Sequence, residues 1–135
     1  MLQTGLRLGT PGVSDGGLKW LHSFVDQADA ANLRVDFVAV HYYRAYSNPA
    51  DPKGATDQFY RSLKEIHDRT KRPIWITEFN NGANWTQHRP TAEQNKATIA
   101  AFVEMLDHIY RLLTYNPWIS CLLCLSQTIR LPLRC

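Results

Sequence analysis

Alternation constrains this chain more than any other feature. From about residue 6 to residue 113, strand-length apolar segments take turns with long amphipathic ones, in the order β-α-β-α-β-α. The segment LRLGTPGV, interrupted by Gly9, Pro11 and Gly12, reads as a strand running into a loop. Ser14 or Asp15 then caps a helix over DGGLKWLHSFVDQADAAN, where Leu18, Leu21, Val25 and Ala28 recur at helical spacing with Trp20 and Phe24 alongside, for a broad buried face. VDFVAVHYY, at 35–43, is apolar on both faces, as parallel strands covered by helices are. A second helix is expected over about 55–71, with Phe59, Leu63 and Ile66 inward, and Pro73 ends it before the strand PIWITEF. A third runs from about Thr91, which makes a capping box with Gln94, to about Leu113, with Ile99, Phe102, Val103, Leu106 and Ile109 inward.

Such alternation demands a parallel sheet with right-handed crossovers, which is an α/β fold of the doubly wound or the (β/α)8 type. Both place functional groups at the carboxyl ends of strands. His41 and Tyr43 end the second strand, and Glu78 and Asn80 end the third. Other chemistries find little support. The glycines of GLRLGTPG do not follow G-x-G-x-x-G, so no dinucleotide site is expected. Fifteen basic residues against 12 acidic ones are scattered, which does not point to nucleic acid. No run reaches membrane-span length and MLQTGLRLGTPG has no signal-peptide core, so neither membrane nor secretion signal is read in the chain itself. Cys121 and Cys124 spell C-x-x-C, but no second pair or His follows, so neither metal nor redox cofactor is expected. After about Tyr115 the pattern dissolves, leaving residues 1–114 as the folded unit and 115–135 as an irregular tail.

Glu78 is the residue that asks for chemistry. A carboxylate at the end of an apolar strand must reach solvent, find a partner or change its ionisation. Strict alternation puts it on one face with Ile74 and Ile76, and puts Trp75, Thr77 and Phe79 on the other. His41 and Tyr43 likewise share a face on the neighbouring strand. A glutamate flanked by that hydroxyl and that imidazole suits a nucleophile or general base. The plainer alternative is a loop cap through the Asn80 and Asn81 amides. Trp85, on the loop after the strand, can stack on a sugar ring or simply anchor the loop, and Asn84-Trp85-Thr86 matches a glycosylation triplet.

The landmarks LGTPGVS, DFVAVHYY and PIWITEF, in that order across about residues 6–110, resemble the glycosyl hydrolase catalytic core family of retaining endo-β-1,3-glucanase type, related to alkali-sensitive linkage proteins of fungal cell walls. The resemblance implies a (β/α)8 TIM barrel with a nucleophilic Glu ending strand seven and an acid/base Glu ending strand four. The three strands here would then be about strands five to seven of a partial barrel, and Glu78 the nucleophile. His41, Tyr43, Asn80, Asn81 and Trp85 would contact a polysaccharide, with no cofactor. An extracellular or cell-wall location is implied in the same way. The acid/base is not among these residues, so the chain is expected to be a fragment, inactive alone and self-associating through open sheet edges. A non-catalytic carbohydrate-binding remnant and a flavodoxin-like domain are the other readings.

Overall fold

The computed structural model describes residues 5–83 and 86–112, the last four by backbone alone. The helices begin where local chemistry allows them to. Asp51 caps α2 (Pro52–Thr70) by accepting from the Gly54 N–H at 2.9 Å, and Pro52 occupies the first position, where its missing N–H costs nothing. This start lies three residues before the one expected from periodicity. Lys71 closes α2 in the left-handed region at φ 54°, with its N–H on the His67 carbonyl. The Thr91–Gln94 capping box ahead of α3 (Ala92–Leu112) is formed in both directions, at 2.9 and 3.2 Å. α1 (Leu18–Ala30) is entered differently from expectation. A single 3-10 turn, Asp15–Gly17, leads into it and no side chain caps it. The Asp15 carboxylate instead pairs with Arg44 at 2.9 Å.

Two strands, β1 (Val38–Tyr42) and β2 (Ile74–Phe79), pair in parallel. The expected first strand is present only as isolated bridges, Gly9 to Phe37 and Val13 to Val40. Residues 8–13 still run beside β1: Asp36 N–H reaches Leu8 O, Thr10 N–H reaches Phe37 O, and Val13 and β1 exchange bonds at Ala39 O and His41 N. Pro11 supplies no donor to this ladder. At that gap the Thr10 hydroxyl, not a carbonyl, accepts from Ala39 N–H at 3.0 Å. A regular strand is therefore lost although the course of the chain is kept.

All three helices contribute to a core on one face of this sheet, built from Leu21, Val25, Val38, Val40, Tyr42, Phe59, Leu63, Ile66, Ile74, Ile76, Ile99, Phe102 and Leu106. Phe59 lies 4.5 Å from both Tyr42 and Phe102, ring centre to ring centre. A doubly wound sheet would carry helices on both faces. Here the opposite face carries Phe37 stacked on Trp75 at 3.8 Å, with the Arg7 guanidinium over both rings. The buried face of α1 is narrower than its sequence suggests, since Trp20 is 49% exposed and rests on Phe24. Bidentate Asp26–Arg69 and single Asp29–Arg72 ion pairs tie the solvent side of α1 to the end of α2 and the turn after it. Among the described residues, no helix is long and apolar enough to cross a membrane. Ile109 side-chain packing, Trp85, all three cysteines and the tail from residue 115 lie outside what is described.

Candidate active site

The faces of β2 are not those that strict alternation gives. Val38, Ala39 and Val40 pair with Ile74, Trp75 and Ile76, but His41 then pairs with Glu78 and Tyr42 with Phe79. Thr77 is the extra residue of a bulge, and it reverses the phase of the strand. Ile74 and Ile76 face the helices, and Phe79 joins them, 6.1 Å from Phe59. Glu78 therefore leaves the Ile74–Ile76 face expected for it and stands on the opposite one, with His41 and Tyr43. An unpartnered carboxylate between Phe59 and Phe102 would cost several kcal/mol, roughly, so the bulge and the burial agree.

The Glu78 carboxylate is held from two sides. Tyr43 donates its hydroxyl to Oε2 at 3.0 Å, and His41 Nδ1 lies 3.3 Å from the same oxygen. The glutamate side chain remains 51% exposed and the imidazole 28%, so the cluster is accessible as well as organised. Burial first, then the bond to the Glu78 carboxylate and its negative charge, hold the Tyr43 phenol above its ordinary range, which keeps it a donor. Behind the imidazole stands Gly12, so close that a Cβ there would lie 2.5 Å from His41 Nε2. The glycine of LGTPGVS thus lets the first segment approach the histidine. Beside Tyr43, a cleft of about 310 Å³ is lined by Ser14, Asp15, Gly16, Arg44 and Thr86.

The two asparagines are placed differently from expectation. Asn81 is 2% exposed and accepts from Tyr46 N–H, and Asn80 donates to Gly82 O and accepts from Asn95. They fasten the loop after β2 to the loop after β1 and to α3. The buried Asn81 amide is out of reach of a dissolved ligand, and neither amide caps Glu78. The structure thus unites Glu78, His41 and Tyr43, gives Asn80 and Asn81 framework bonds, and leaves Trp85 undescribed. Sequence reading missed Gly12, whose signal was its place in a glycine-bearing landmark, and Thr77, which carried no signal. Among the described residues, no cluster of His, Cys, Asp and Glu could hold a metal ion.

Comparison with known proteins adds an independent line. The family described as glycosyl hydrolase catalytic core matches residues 1–121. Among solved structures the chain is similar to a GH128 (subgroup I) endo-β-1,3-glucanase from Amycolatopsis mediterranei. A glutamate-to-glutamine variant of that enzyme is 30% identical with a TM-score of 0.66, over 87% of this chain and 47% of that one. A glutamate-to-alanine variant in complex with laminaripentaose is 28% identical with a TM-score of 0.66, over 87% and 46%. The complex with laminaritriose is 30% identical with a TM-score of 0.64, over 87% and 48%. The chain thus spans a little under half the length of these structures. No match is found among curated proteins. A match over nearly the whole sequence, with a strand-end glutamate held by a tyrosine and a histidine, places the chain: it belongs to the glycosyl hydrolase catalytic core family.

Proposed function

We propose that residues 1–114 form about strands five to seven, with their helices, of a (β/α)8 barrel in a retaining glycoside hydrolase that cleaves β-1,3-glucan. One-sided placement of all three helices supports the barrel, whose wall carries its helices outside and its catalytic groups at strand ends. Glu78 is the nucleophile. Its carboxylate attacks the anomeric carbon as the glycosidic C–O bond breaks, and a second carboxyl protonates the departing oxygen. Water then hydrolyses the glycosyl-enzyme, with that second group acting as base. Tyr43 and His41 stand against Oε2, so the carboxylate is oriented before substrate arrives.

The observation that carries this reading is the Tyr43–Glu78–His41 cluster at the end of β2. It is supported by relatives named endo-β-1,3-glucanases, seen with laminari-oligosaccharides and with one or the other of two glutamates replaced. Retention requires two carboxyl groups about 5–5.5 Å apart. Of the 12 acidic residues only Glu78 lies on a strand. The acid/base is accordingly a glutamate of another strand of the barrel, outside this chain, and the 135 residues alone are inactive. The polysaccharide substrate implies an extracellular or cell-wall location for the whole enzyme.

The test is Glu78→Gln in the complete barrel, assayed on laminarin. Covalent catalysis predicts a loss of several orders of magnitude in kcat, roughly. A loss of only a few-fold would remove Glu78 from the nucleophile's role.

A further inference from the structure

We infer that Thr77 is a positioning residue, whose hydroxyl holds the β2 bulge and thereby turns Glu78 toward His41 and Tyr43. Parallel pairing advances one residue on each strand per step, yet between Val40 and His41 β2 advances two. At that step the Thr77 hydroxyl donates to the Val40 carbonyl at 3.2 Å. Two residues further along β1, Asn80 N–H rejoins Tyr42 O at 2.8 Å, so the interruption is confined to Thr77. The consequence is two-sided. Phe79 gains its place beside Phe59 and Phe102, and Glu78 gains the opposite face, where both of its oxygen's partners come from β1 and the residue after it. Ironing the bulge out with Thr77 kept in regular register would pair Thr77 with His41 and Glu78 with Tyr42, exchanging the two side chains and sending a carboxylate into an aromatic core and a phenylalanine into the cleft.

Bulges re-aim side chains next to active sites. Here the re-aimed group is the one to which the chemistry above is assigned, so the importance of this inference rests on that reading although its geometry does not. The hydroxyl is the part of Thr77 that spans the two strands, since its methyl group can be reproduced by valine without that bond. Thr77→Val keeps the β-branched shape and removes the bond to Val40 O. Thr77→Ser keeps the bond and removes the methyl group.

The experiment is nuclear Overhauser spectroscopy on the 135-residue chain and the two variants, with thermal unfolding alongside. Cross-peaks from the Glu78 side chain to the Tyr43 and His41 rings are expected in the native chain and in Thr77→Ser. They are expected to weaken at least several-fold in Thr77→Val, while the Phe79–Phe59 cross-peaks persist. A role in stability alone would lower the melting midpoint of Thr77→Val and leave the Glu78 cross-peaks unchanged, which would overturn the inference. Collapse of Thr77→Val to an unfolded chain would overturn it too, because the hydroxyl would then hold the fold and not the glutamate. Activity of the complete enzyme surviving Glu78→Gln would remove the reading of Glu78 as nucleophile and leave these cross-peaks in place. The two failures are therefore distinguishable.

Discussion

Replacing Gly12 by alanine tests how the first segment and the Tyr43–Glu78–His41 cluster are joined. The new Cβ would lie 2.5 Å from His41 Nε2 and 3.2 Å from Cδ2, where ordinary contact begins at 3.4 Å. The imidazole must therefore retreat by about 1 Å or turn away, since repulsion rises steeply at such separations. It cannot retreat by that much toward Glu78, because Nδ1 already stands 3.3 Å from Oε2, and its backbone N–H is held by Val13 O at 2.8 Å. Overpacking of this kind costs about 1–3 kcal/mol. The ring is 28% exposed and has a way out, which favours the lower figure, about 1 kcal/mol. In a domain of this size that lowers the melting midpoint by roughly 4 °C. The assay is thermal unfolding of Gly12→Ala in the native and His41→Ala backgrounds, together with the ring chemical shifts of His41. With the imidazole removed, the alanine should cost nearly nothing, so most of the loss appears as coupling between the two positions. An equal loss in both backgrounds would refute the reasoning, because the penalty would then not come from the histidine.

Other perturbations address the frame. Phe59→Ala empties the centre of the aromatic cluster and should cost about 3–5 kcal/mol, read as a shifted urea midpoint. Asp51→Ala removes the α2 cap and should cost about 1 kcal/mol, with Asp51→Ser retaining most of it in the same measurement. Hydrogen bonds and charges from Arg69, Arg34 and Lys64 hold Asp26, Asp36 and Asp68 below the usual carboxylate range. Folded values below the unfolded ones give stability that is present above about pH 4 and lost as pH falls through that value and below. Melting midpoints should fall from pH 5 to pH 2, and Arg69→Gln should flatten the profile slightly, because its pair with Asp26 is exposed. The β2 edge away from β1 is unpaired among the described residues. Sedimentation should therefore show concentration-dependent association of the 135-residue chain, and a monomer at all concentrations would contradict it.

Much of this was legible in the sequence, because the signals concerned were local. Helical spacing found Leu21, Val25 and Ala28, and later Phe59, Leu63 and Ile66, and all of them are buried. The Thr91–Gln94 box and the end of α2 before Pro73 needed only neighbouring residues. Even the shared side of His41 and Tyr43, both against Glu78, followed from period-two alternation. The helix start at Pro52 was missed because a proline and a glycine in the first turn resemble loop chemistry unless the Asp51 cap is recognised. The first strand was over-read, since apolar alternation says nothing about a donor missing at Pro11 or a hydroxyl standing in for a carbonyl.

By itself the sequence determined the order of elements, the inward stripes of the helices and the presence of one carboxylate at a strand end. The direction in which that carboxylate points was decided only in three dimensions. Alternation is a property of one strand, whereas a bulge is set by the competition of two strands and a core for the same residues. Phe79 has a place among Phe59 and Phe102, the Tyr43 hydroxyl offers a donor beside His41 on the other face, and Thr77 absorbs the difference. The asparagines make the same point from the opposite side. Two and three residues after the glutamate, they are drawn by Tyr46, Gly82 and Asn95 into the framework, because amides withdrawn from water must find partners wherever the fold supplies them.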